Sequence, residues 1–294
     1  MHRFLRAVGF SNINSRQDLD KLLGIIMDKP NTKRKATLDE ETTYTEMSME
    51  FARRIGITIR GEYDKLGFFH LDHYYPYLES TVITSQEDIS FNKRVDTNAY
   101  TGMCDDIRLG ISMIFYLQNA VDYIQLKLKD NTPYKSRLSL SGLSLEGCII
   151  LGINTPEETK MKRNYETYIK KRLIAQAKNG DQDAIDSLTI DEIDLTTKLS
   201  KRIMHEDLYS IVESTFIPYG SESDNYSIVG TIINWTCVTN SYTNEEVYEL
   251  LINCNGLVIT VCINKKDLLG EPMIGRRFKG IIWMQGHVDF PKLC

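Results

Sequence analysis

The spacing of hydrophobic residues is most informative in the last third of the chain, residues 226–290. There the apolar positions come in short runs rich in β-branched and aromatic side chains, which is typical of strands. Asn255-Gly256 stands between two such runs and predicts a tight hairpin, because both residues tolerate positive φ. A last strand over residues 278–288 carries glycines on one face, where a neighbouring element can approach closely. The pattern predicts a small β-barrel or sandwich-like module of about four or five antiparallel strands.

The first half of the chain combines strand patterns with one clear helix. Ser15 is placed to cap a helix, with an acidic residue three positions later, and apolar residues then recur at helical spacing as far as Asp28. Residues 1–10 and 121–128 have strand-like patterns, whereas residues 31–46 are polar and turn-prone and predict an exposed loop. Together these features predict an antiparallel sheet with a helix.

A series of helical signals separates these two parts. Thr155-Pro156-Glu157-Glu158 combines a capping threonine, a proline at the first helical position and a glutamate that completes a capping box. This helix is expected to end at Asn179-Gly180, where glycine favours a left-handed cap. We therefore predict an α+β protein with an N-terminal sheet domain at residues 1–154, a helical connector at 155–220 and a C-terminal β-module at 221–294.

Composition narrows the class of protein. The 294 residues include 42% hydrophobic and 26% charged residues, which is ordinary for a globular chain long enough for two domains. A formal net charge of −5 weighs against broad binding of nucleic acid or of an anionic membrane. The first residues lack the apolar run of a signal peptide, and no stretch reaches membrane-spanning length. The six cysteines include no C-x-x-C pair and suit reduced thiols, so we predict a cytoplasmic protein.

The densest group of metal-ligand and acid/base side chains is His70-Leu71-Asp72-His73. A metal site needs several nitrogen or oxygen donors that converge on one point. On a regular strand, however, His70 and Asp72 share one face and His73 points to the other. The group is more typical of polar positions at the exposed face and rim of a sheet. We predict no metal site.

Asp105-Asp106 is a second candidate for chemistry. Adjacent carboxylates can share a proton or hold a hard cation, and Asp96 could join them in an acidic cleft. Such a pair is also common in turns and at helix caps, so both interpretations stay open.

A basic cluster with aromatic neighbours lies in the C-terminal region. Lys265, Arg276 and Arg277 are close in sequence to Phe278 and Trp283, and single-stranded nucleic-acid-binding modules combine such residues. Residues 226–294 nevertheless contain equal numbers of basic and acidic residues. Because affinity for nucleic acid comes largely from counterion release, this balance weighs against such binding. Trp283 is alternatively a core or interface anchor.

Several segments resemble an uncharacterised family of clostridial cytosolic proteins. They read NGDQDAIDSLTIDEIDLTTKLSKRI, EDLYSIVESTFIPYGSESDNYSIVG and INKKDLLGEPMIGRRFKGIIWMQG, and the opening HRFLRAVGFSNI is similar as well. The resemblance covers essentially the full length of the chain. It implies a cytoplasmic bacterial protein with a domain of unknown function, and it implies no activity or catalytic residue.

The chain contains no phosphate-loop motif and no nucleophile elbow, which favours a protein without catalytic activity. We expect it to bind an unidentified protein or small molecule, without a cofactor and without a membrane partner, while a homo-oligomer stays open. The first alternative is an enzyme with a metal or acid/base site around His70, Asp72 and His73, or around Asp105 and Asp106. The second alternative is single-stranded nucleic-acid binding by the C-terminal β-module.

Overall fold

The computed structural model describes residues 2–37, 43–95, 97–106, 108–109, 111–126, 134–152, 169, 172–177, 179–190 and 212–290. Contacts within the chain divide it into two compact units, Met1–Ile150 with Thr215–Cys294, and Leu151–Ser214. No helix within these described ranges is both long and apolar enough to cross a membrane.

In the second unit, residues 172–177 and 182–190 are helical. Gly180 has a φ of +85°, and its backbone N–H donates to the carbonyl oxygen of Ala177 at 3.0 Å. The left-handed end predicted from Asn179-Gly180 is therefore confirmed. The capping box predicted at residues 155–158 lies outside the described residues.

The N-terminal sheet is an antiparallel arrangement of four strands in sequence order. Its strands are β1 (Thr32–Thr37), β2 (Thr43–Ala52), β3 (Ile55–Tyr63) and β4 (Phe69–Leu78). Helix α1 (Arg16–Asp28) packs against β2 and β3. The Asp18 backbone N–H donates to Ser15 Oγ at 3.1 Å, which confirms the predicted cap and the predicted helix.

The larger sheet contains 11 strands. They are β5 (Asp88–Lys93), β6 (Tyr100–Asp106), β7 (Ile111–Leu117), β8 (Tyr134–Lys135), β9 (Leu138–Ile150), β10 (Thr215–Pro218), β11 (Asn225–Thr239), β12 (Glu246–Cys254), β13 (Leu257–Asn264), β14 (Leu268–Leu269) and β15 (Arg277–Val288). The strand order is β10-β11-β12-β13-β9-β15-β7-β6-β5-β8, and β14 pairs with β9. A short helix, α2 (Ala120–Gln125), follows β7.

Part of this sheet closes into a barrel, because β11 pairs with both β12 and β15. The ring runs β11-β12-β13-β9-β15 and returns to β11. Asn255 and Gly256 both have positive φ in the turn between β12 and β13, as the Asn-Gly signal predicts. The predicted barrel is confirmed, with two differences: β9 lies outside the predicted C-terminal module, and β13 and β9 run parallel, so the ring is not wholly antiparallel.

A single phenyl ring packs against two glycines inside the barrel. Gly147 of β9 and Gly280 of β15 are paired across the sheet. A Cβ atom at these two positions would lie 2.4 and 2.6 Å from the ring of Phe278. Phe278, Ile282 and Met284 are all fully buried in the barrel core. The glycine-bearing face of the last strand therefore points inward, against packed side chains.

A second hydrophobic core lies between the N-terminal sheet, α1, the first residues and the outer face of the barrel. Residues Arg3–Val8 form a 3-10 helix, so the strand predicted for residues 1–10 is wrong. Gly9 ends this helix with a φ of +88°. Phe4 stacks on Trp283 of β15 with ring centroids 5.3 Å apart. A short apolar segment has no strand periodicity of its own, and here packing on the barrel decides its conformation.

Two other local expectations are also wrong. Residues 31–46 were expected to form a loop, but they contain β1 and the start of β2. Exposed residues dominate β1, where only Ala36 is buried, so its polar composition conceals the strand. Residues 121–128 suggested a strand, whereas α2 covers most of the described part. Over so few residues the helical and strand periodicities fit equally well.

The ranges 1–154 and 221–294 contribute strands to the same sheet. β9 comes from the first range and pairs with β13 and β15 from the second. That residues 1–154 and 221–294 are separate domains, each able to fold alone, stays a prediction.

We predict that Gly147→Ala lowers the free energy of unfolding by about 1–3 kcal/mol, because the added methyl group overlaps the buried Phe278 ring. Urea denaturation followed by circular dichroism measures the change. Gly24→Ala is the matched control: Gly24 lies in α1, where an added Cβ meets no neighbouring group within 4 Å, and this variant should gain about 0.5–1 kcal/mol. Equal effects of the two substitutions would contradict the packing described for the barrel.

Candidate functional site

A fully buried arginine, Arg60, lies near the middle of β3. Its cross-strand neighbours are Glu46 on β2 and His73 on β4. The guanidinium reaches from the N-terminal sheet to Tyr116 of β7 and to the backbone that follows β7. Arg60 therefore connects the two sheets through a charged side chain.

Each nitrogen of the guanidinium has a hydrogen-bond partner. Nε donates to Glu46 Oε2 at 2.8 Å, Nη1 donates to Tyr116 Oη at 3.0 Å, and Nη2 donates to Tyr75 Oη at 2.9 Å. Nη2 also donates to the carbonyl oxygen of Gln118. The cation lies over the Tyr75 ring, 4.8 Å from its centroid. A buried charge is tolerated only when it is paired and hydrogen-bonded, and this cluster meets both conditions.

The surroundings keep Arg60, Tyr75 and Tyr116 each in one protonation state. Burial alone would lower the pKa of Arg60, but the neighbouring Tyr116, Tyr75 and Glu46 raise that pKa well above its usual value. Burial also raises the pKa of Tyr75 and of Tyr116. The arginine is therefore a permanent cation held by one carboxylate and two neutral phenols.

His73 links this cluster to Asp72 through an irregularity in β4. Arg60 pairs with His73, whereas the next residue of β3, Gly61, pairs with Leu71. Asp72 is the additional residue of this bulge, and its Oδ2 lies 2.9 Å from Nδ1 of the adjacent His73. The expectation that Asp72 and His73 point away from each other is therefore wrong, because it assumed a regular strand.

Asp72, His73 and Tyr116 form a chain of carboxylate, imidazole and phenol. His73 Nε2 lies 2.8 Å from Tyr116 Oη. Burial lowers the pKa of His73, and the hydrogen bond with His73 lowers the pKa of Asp72. Asp72 is thus ionised and His73 neutral near pH 7, an arrangement that can orient or accept a proton. Tyr116 is itself buried and bonded to Arg60, so the chain ends inside the protein.

His70 does not join this chain. Its Nε2 lies 2.9 Å from Asp64 Oδ2, in the exposed turn between β3 and β4. Within the described ranges, no group of three His, Cys, Asp or Glu side chains is arranged to hold a metal ion. The expectation of no metal site stays a prediction for the whole chain.

Asp105 and Asp106 lie on opposite faces of β6 and do not act as a pair. Asp106 is buried, and Arg108 binds it with Nε to Oδ1 at 2.8 Å and Nη2 to Oδ2 at 2.6 Å. The same arginine donates to the backbone oxygens of Thr84 and Gly256, so Asp106 organises loops around β6. Asp105 is exposed and accepts from Ser112 Oγ. Asp96 lies outside the described residues.

The basic and aromatic residues of the C-terminal region do not share an open surface. Phe278 is fully buried, and Arg277 is also buried. Lys265 pairs with Glu246 at 2.8 Å, and Arg276 donates to the carbonyl oxygen of Glu271 at 3.3 Å. Lys265 and Arg276 are therefore each held by a separate acceptor rather than lining one groove.

Trp283 is a core anchor and is only 5% exposed. Its Nε1 donates to Asp224 Oδ2 at 3.0 Å. His2 packs on the indole with ring centroids 4.8 Å apart, beside the stacked Phe4. Burial lowers the pKa of His2 to about 4, so His2 is neutral near pH 7.

A cleft opens between the two sheets beside the Arg60 cluster, and we call it the inter-sheet cleft. Its wide part has a volume of about 980 Å³ and is bordered by α2, β8 and the end of β15. A separate, smaller cavity of about 110 Å³, which we call the narrow part, lies along one face of the N-terminal sheet, where Glu46 and Tyr75 form part of its wall. Arg34, Asn119 and His287 border both parts.

The wide part of the inter-sheet cleft carries three basic side chains, from Arg34, Lys135 and Arg137. Arg34 pairs with Asp122 at 3.0 Å, and Arg137 pairs with Asp289 at 3.2 Å. Lys135 forms no ion pair with any residue that the structure describes. Tyr134 and Phe290 add aromatic surface, with ring centroids 5.8 Å apart. The wide part therefore offers an unpaired cation beside apolar rings.

Sequence reasoning missed Arg60, Glu46 and the cleft residues. Arg60 ends an alternation of isoleucines, so it reads as a polar-face residue of a half-exposed strand. The larger sheet instead covers that face. The hydrogen bond from Arg60 to Tyr116 shows this contact, and these two residues are 56 positions apart in the chain. The available local signal was the opposite charge of Glu46 and Arg60. Opposite charges on neighbouring strands indicate a cross-strand pair, but they do not indicate that the pair is buried.

The fold and the site define an α+β protein with a closed five-stranded barrel and a buried arginine cluster beside a cleft. A family model described as "Domain of unknown function, E. rectale Gene description (DUF3881)" matches residues 5–286, and the chain belongs to this family. The resemblance to a clostridial domain of unknown function is thereby confirmed. Neither a curated protein nor a solved structure matches the chain.

We predict that Arg60→Met lowers the free energy of unfolding by about 3–5 kcal/mol, because Glu46 is then buried without its counter-charge. The double variant with Glu46→Gln should recover part of this loss, and urea denaturation of the single and double variants measures it. Arg34→Met is the control, since its half-exposed pair with Asp122 is worth at most about 1 kcal/mol. Similar losses in the two arginine variants would contradict a special role for Arg60.

We also predict that stability falls as the pH is lowered from about 6.5 towards 4. Burial lowers the pKa of both His2 and His73, so the unfolded chain binds protons in this range more readily than the folded protein. His2 alone should contribute about 2 kcal/mol between pH 7 and pH 5. The check is the urea midpoint at several pH values in the wild type and in His2→Phe, which should respond less to pH. Identical pH profiles would contradict the assignment.

Proposed function

We propose that this protein is a non-catalytic cytoplasmic binding protein that takes a small anionic molecule into the inter-sheet cleft. The observation that carries the proposal is Lys135, a cation that borders the cleft and forms no ion pair with a described residue. Arg34 and Arg137 border the same cavity, and each guanidinium has further N–H donors that can bind a ligand carboxylate or phosphate while it keeps its present partner.

The dimensions and composition of the cleft support this proposal. Small-molecule sites are concave, have volumes of roughly 300–1,000 Å³ and combine apolar walls with a few placed polar groups. The wide part, at about 980 Å³, lies at the upper end of that range. Tyr134, Phe290 and Leu126 offer apolar contacts for the body of a ligand.

An enzyme is the second candidate, and the Asp72–His73–Tyr116 chain favours it. A carboxylate that orients an imidazole is an arrangement common to many general bases. Against it, the phenol at the end of the chain is buried and bonded to Arg60, and none of the three residues borders the inter-sheet cleft. Binding without catalysis therefore accounts for more of the geometry.

Nucleic-acid binding by the C-terminal β-module has less support. Stacking on bases requires exposed rings, whereas Phe278 and Trp283 are buried. The neighbouring Lys265 is already paired with Glu246.

We predict that the wild-type protein binds hexanoate or hexyl phosphate and that Lys135→Ala weakens this binding roughly fivefold. Isothermal titration calorimetry at low salt measures both affinities. Raising the ionic strength should weaken binding in the wild type, because the interaction is between exposed charges.

Lys21→Ala is the matched control for this experiment, since Lys21 is an exposed lysine on α1, outside the cleft lining. Its affinity for both probes should equal that of the wild type. Binding that is unaffected by Lys135→Ala would show that the anion site lies elsewhere.

A further inference from the structure

The second half of β11 pairs with another strand along one edge only. Strand β15 pairs with β11 from Asn225 as far as Thr231, and β12 pairs with the opposite edge from there to Thr239. Beyond Thr231, no described strand lies along the edge that β15 leaves. We call residues 234–239, on that side, the free edge. All of these residues are exposed except Val238, which is half-buried.

The direction of the backbone groups shows which of them are unpaired. The Asn240 backbone N–H donates to the carbonyl oxygen of Glu245 at 2.8 Å, across the turn into β12. Because backbone groups alternate between the two edges of a strand, those of Trp235, Cys237 and Thr239 point away from β12. The carbonyl oxygens of these three residues accept no hydrogen bond from a described residue, and the N–H groups of Cys237 and Thr239 have no described acceptor.

Two contacts close this edge at its ends. The Gly275 backbone N–H donates to the carbonyl oxygen of Ile232 at 2.9 Å, and the Ser241 backbone N–H donates to the carbonyl oxygen of Phe51 at 2.7 Å. The space between these contacts has the length of an extended segment of about six residues. A second copy of β11 is too long for this space, because the strand has 15 residues and would run past one end.

The free edge lacks the features that protect open strands from pairing. Such features are short length, lysines, prolines and bulges. The strands at the ends of the two sheets have them: β8 and β10 have only two and four residues, and the protecting residues are Lys33, Arg34 and Lys35 of β1, the bulge at Asp72 and Pro76 of β4, and Pro218 of β10. Strand β11 contains no charged residue and no proline, and its bulge between Ile232 and Asn234 precedes the free edge. This edge is therefore able to accept another strand.

The side chains beside the free edge indicate what kind of segment it accepts. Trp235 is 37% exposed, and an aromatic side chain packs well against a β-branched residue on a neighbouring strand. Both charged residues of β12 are already paired, Glu246 with Lys265 and Glu249 with Arg54. The surroundings therefore favour an uncharged segment with β-branched side chains.

We propose that the free edge of β11 binds an extended, uncharged segment of a partner protein, which adds to the sheet as a strand beside residues 235–239. In this mode of recognition the backbone hydrogen bonds supply the affinity, and the side chains next to the edge supply the specificity. The surface is separate from the inter-sheet cleft, because no residue that borders either part of the cleft lies on β11. The inference therefore goes beyond the proposed function and does not depend on it.

Two fluorescein-labelled peptides, acetyl-TVTVT-amide and acetyl-TVPVT-amide, test the inference, and fluorescence anisotropy measures their affinities. The wild type should bind the first peptide roughly tenfold more tightly than the second, because the central proline lacks the N–H that pairing requires. Cys237→Pro and Thr239→Pro should each weaken binding of the first peptide by roughly tenfold. Each of these substitutions removes an N–H that points away from β12, so the pairing of β11 with β12 is kept.

Cys237→Ser is the matched control, since it keeps both the backbone N–H and an uncharged side chain, and it should bind the first peptide as the wild type does. Circular dichroism during urea denaturation checks that the proline variants are folded, while the comparison of the two peptides on the wild type requires no variant. Absence of binding, or equal binding of the two peptides, would overturn the inference.

Sedimentation velocity tests whether a second copy occupies the edge instead. The wild type should sediment in the same way as Cys237→Pro over a range of protein concentrations. Self-association of the wild type that Cys237→Pro abolishes would also overturn the inference, because the edge would then pair with a second copy of this chain.

Discussion

The burial of the Arg60 guanidinium between two sheets is the constraint on which the rest of the structure depends. A cation removed from water costs several kcal/mol unless its hydrogen bonds and its charge are matched. Here the match needs Glu46 from β2, Tyr75 from β4, Tyr116 from β7 and the backbone at Gln118. No single sheet supplies all of these groups, so the cation is stable only when both sheets are in place. Apolar packing holds the sheets together, while the arginine specifies how they meet.

Strand β15 connects the barrel to the inter-sheet cleft. One face places Phe278 and Ile282 in the barrel core, and the other places Trp283 in the second core. Towards its end, Gln285 is fully buried, donates to the carbonyl oxygen of Pro76 at 2.8 Å and accepts from Gln118 at 2.8 Å. His287 then borders the inter-sheet cleft. One strand therefore links both cores, the polar contact between sheets and the candidate site.

The parts of the fold that sequence analysis predicted are those governed by local chemistry. The Ser15 cap, the Asn255-Gly256 turn and the glycine face of the last strand each follow from neighbouring residues. Pairings between distant segments could not be predicted in this way. β9 precedes the other strands of the barrel ring by more than 70 residues, and Arg60 looks exposed until β7 covers it. The one-residue bulge at Asp72 could not be predicted either. It brings Asp72 and His73 together, because a shift of one residue in strand register moves the following side chains to the opposite face of the sheet.

Glu46 gives the candidate site a physical connection to the fold. One of its oxygens neutralises Arg60, and the residue also borders the narrow part of the cleft. Because a ligand that binds only the folded state stabilises it by mass action, occupancy of the inter-sheet cleft and the contact between the two sheets are thermodynamically linked. By reciprocity, a change that loosens the Arg60 cluster must weaken the binding of any ligand that requires both sheets to be in place.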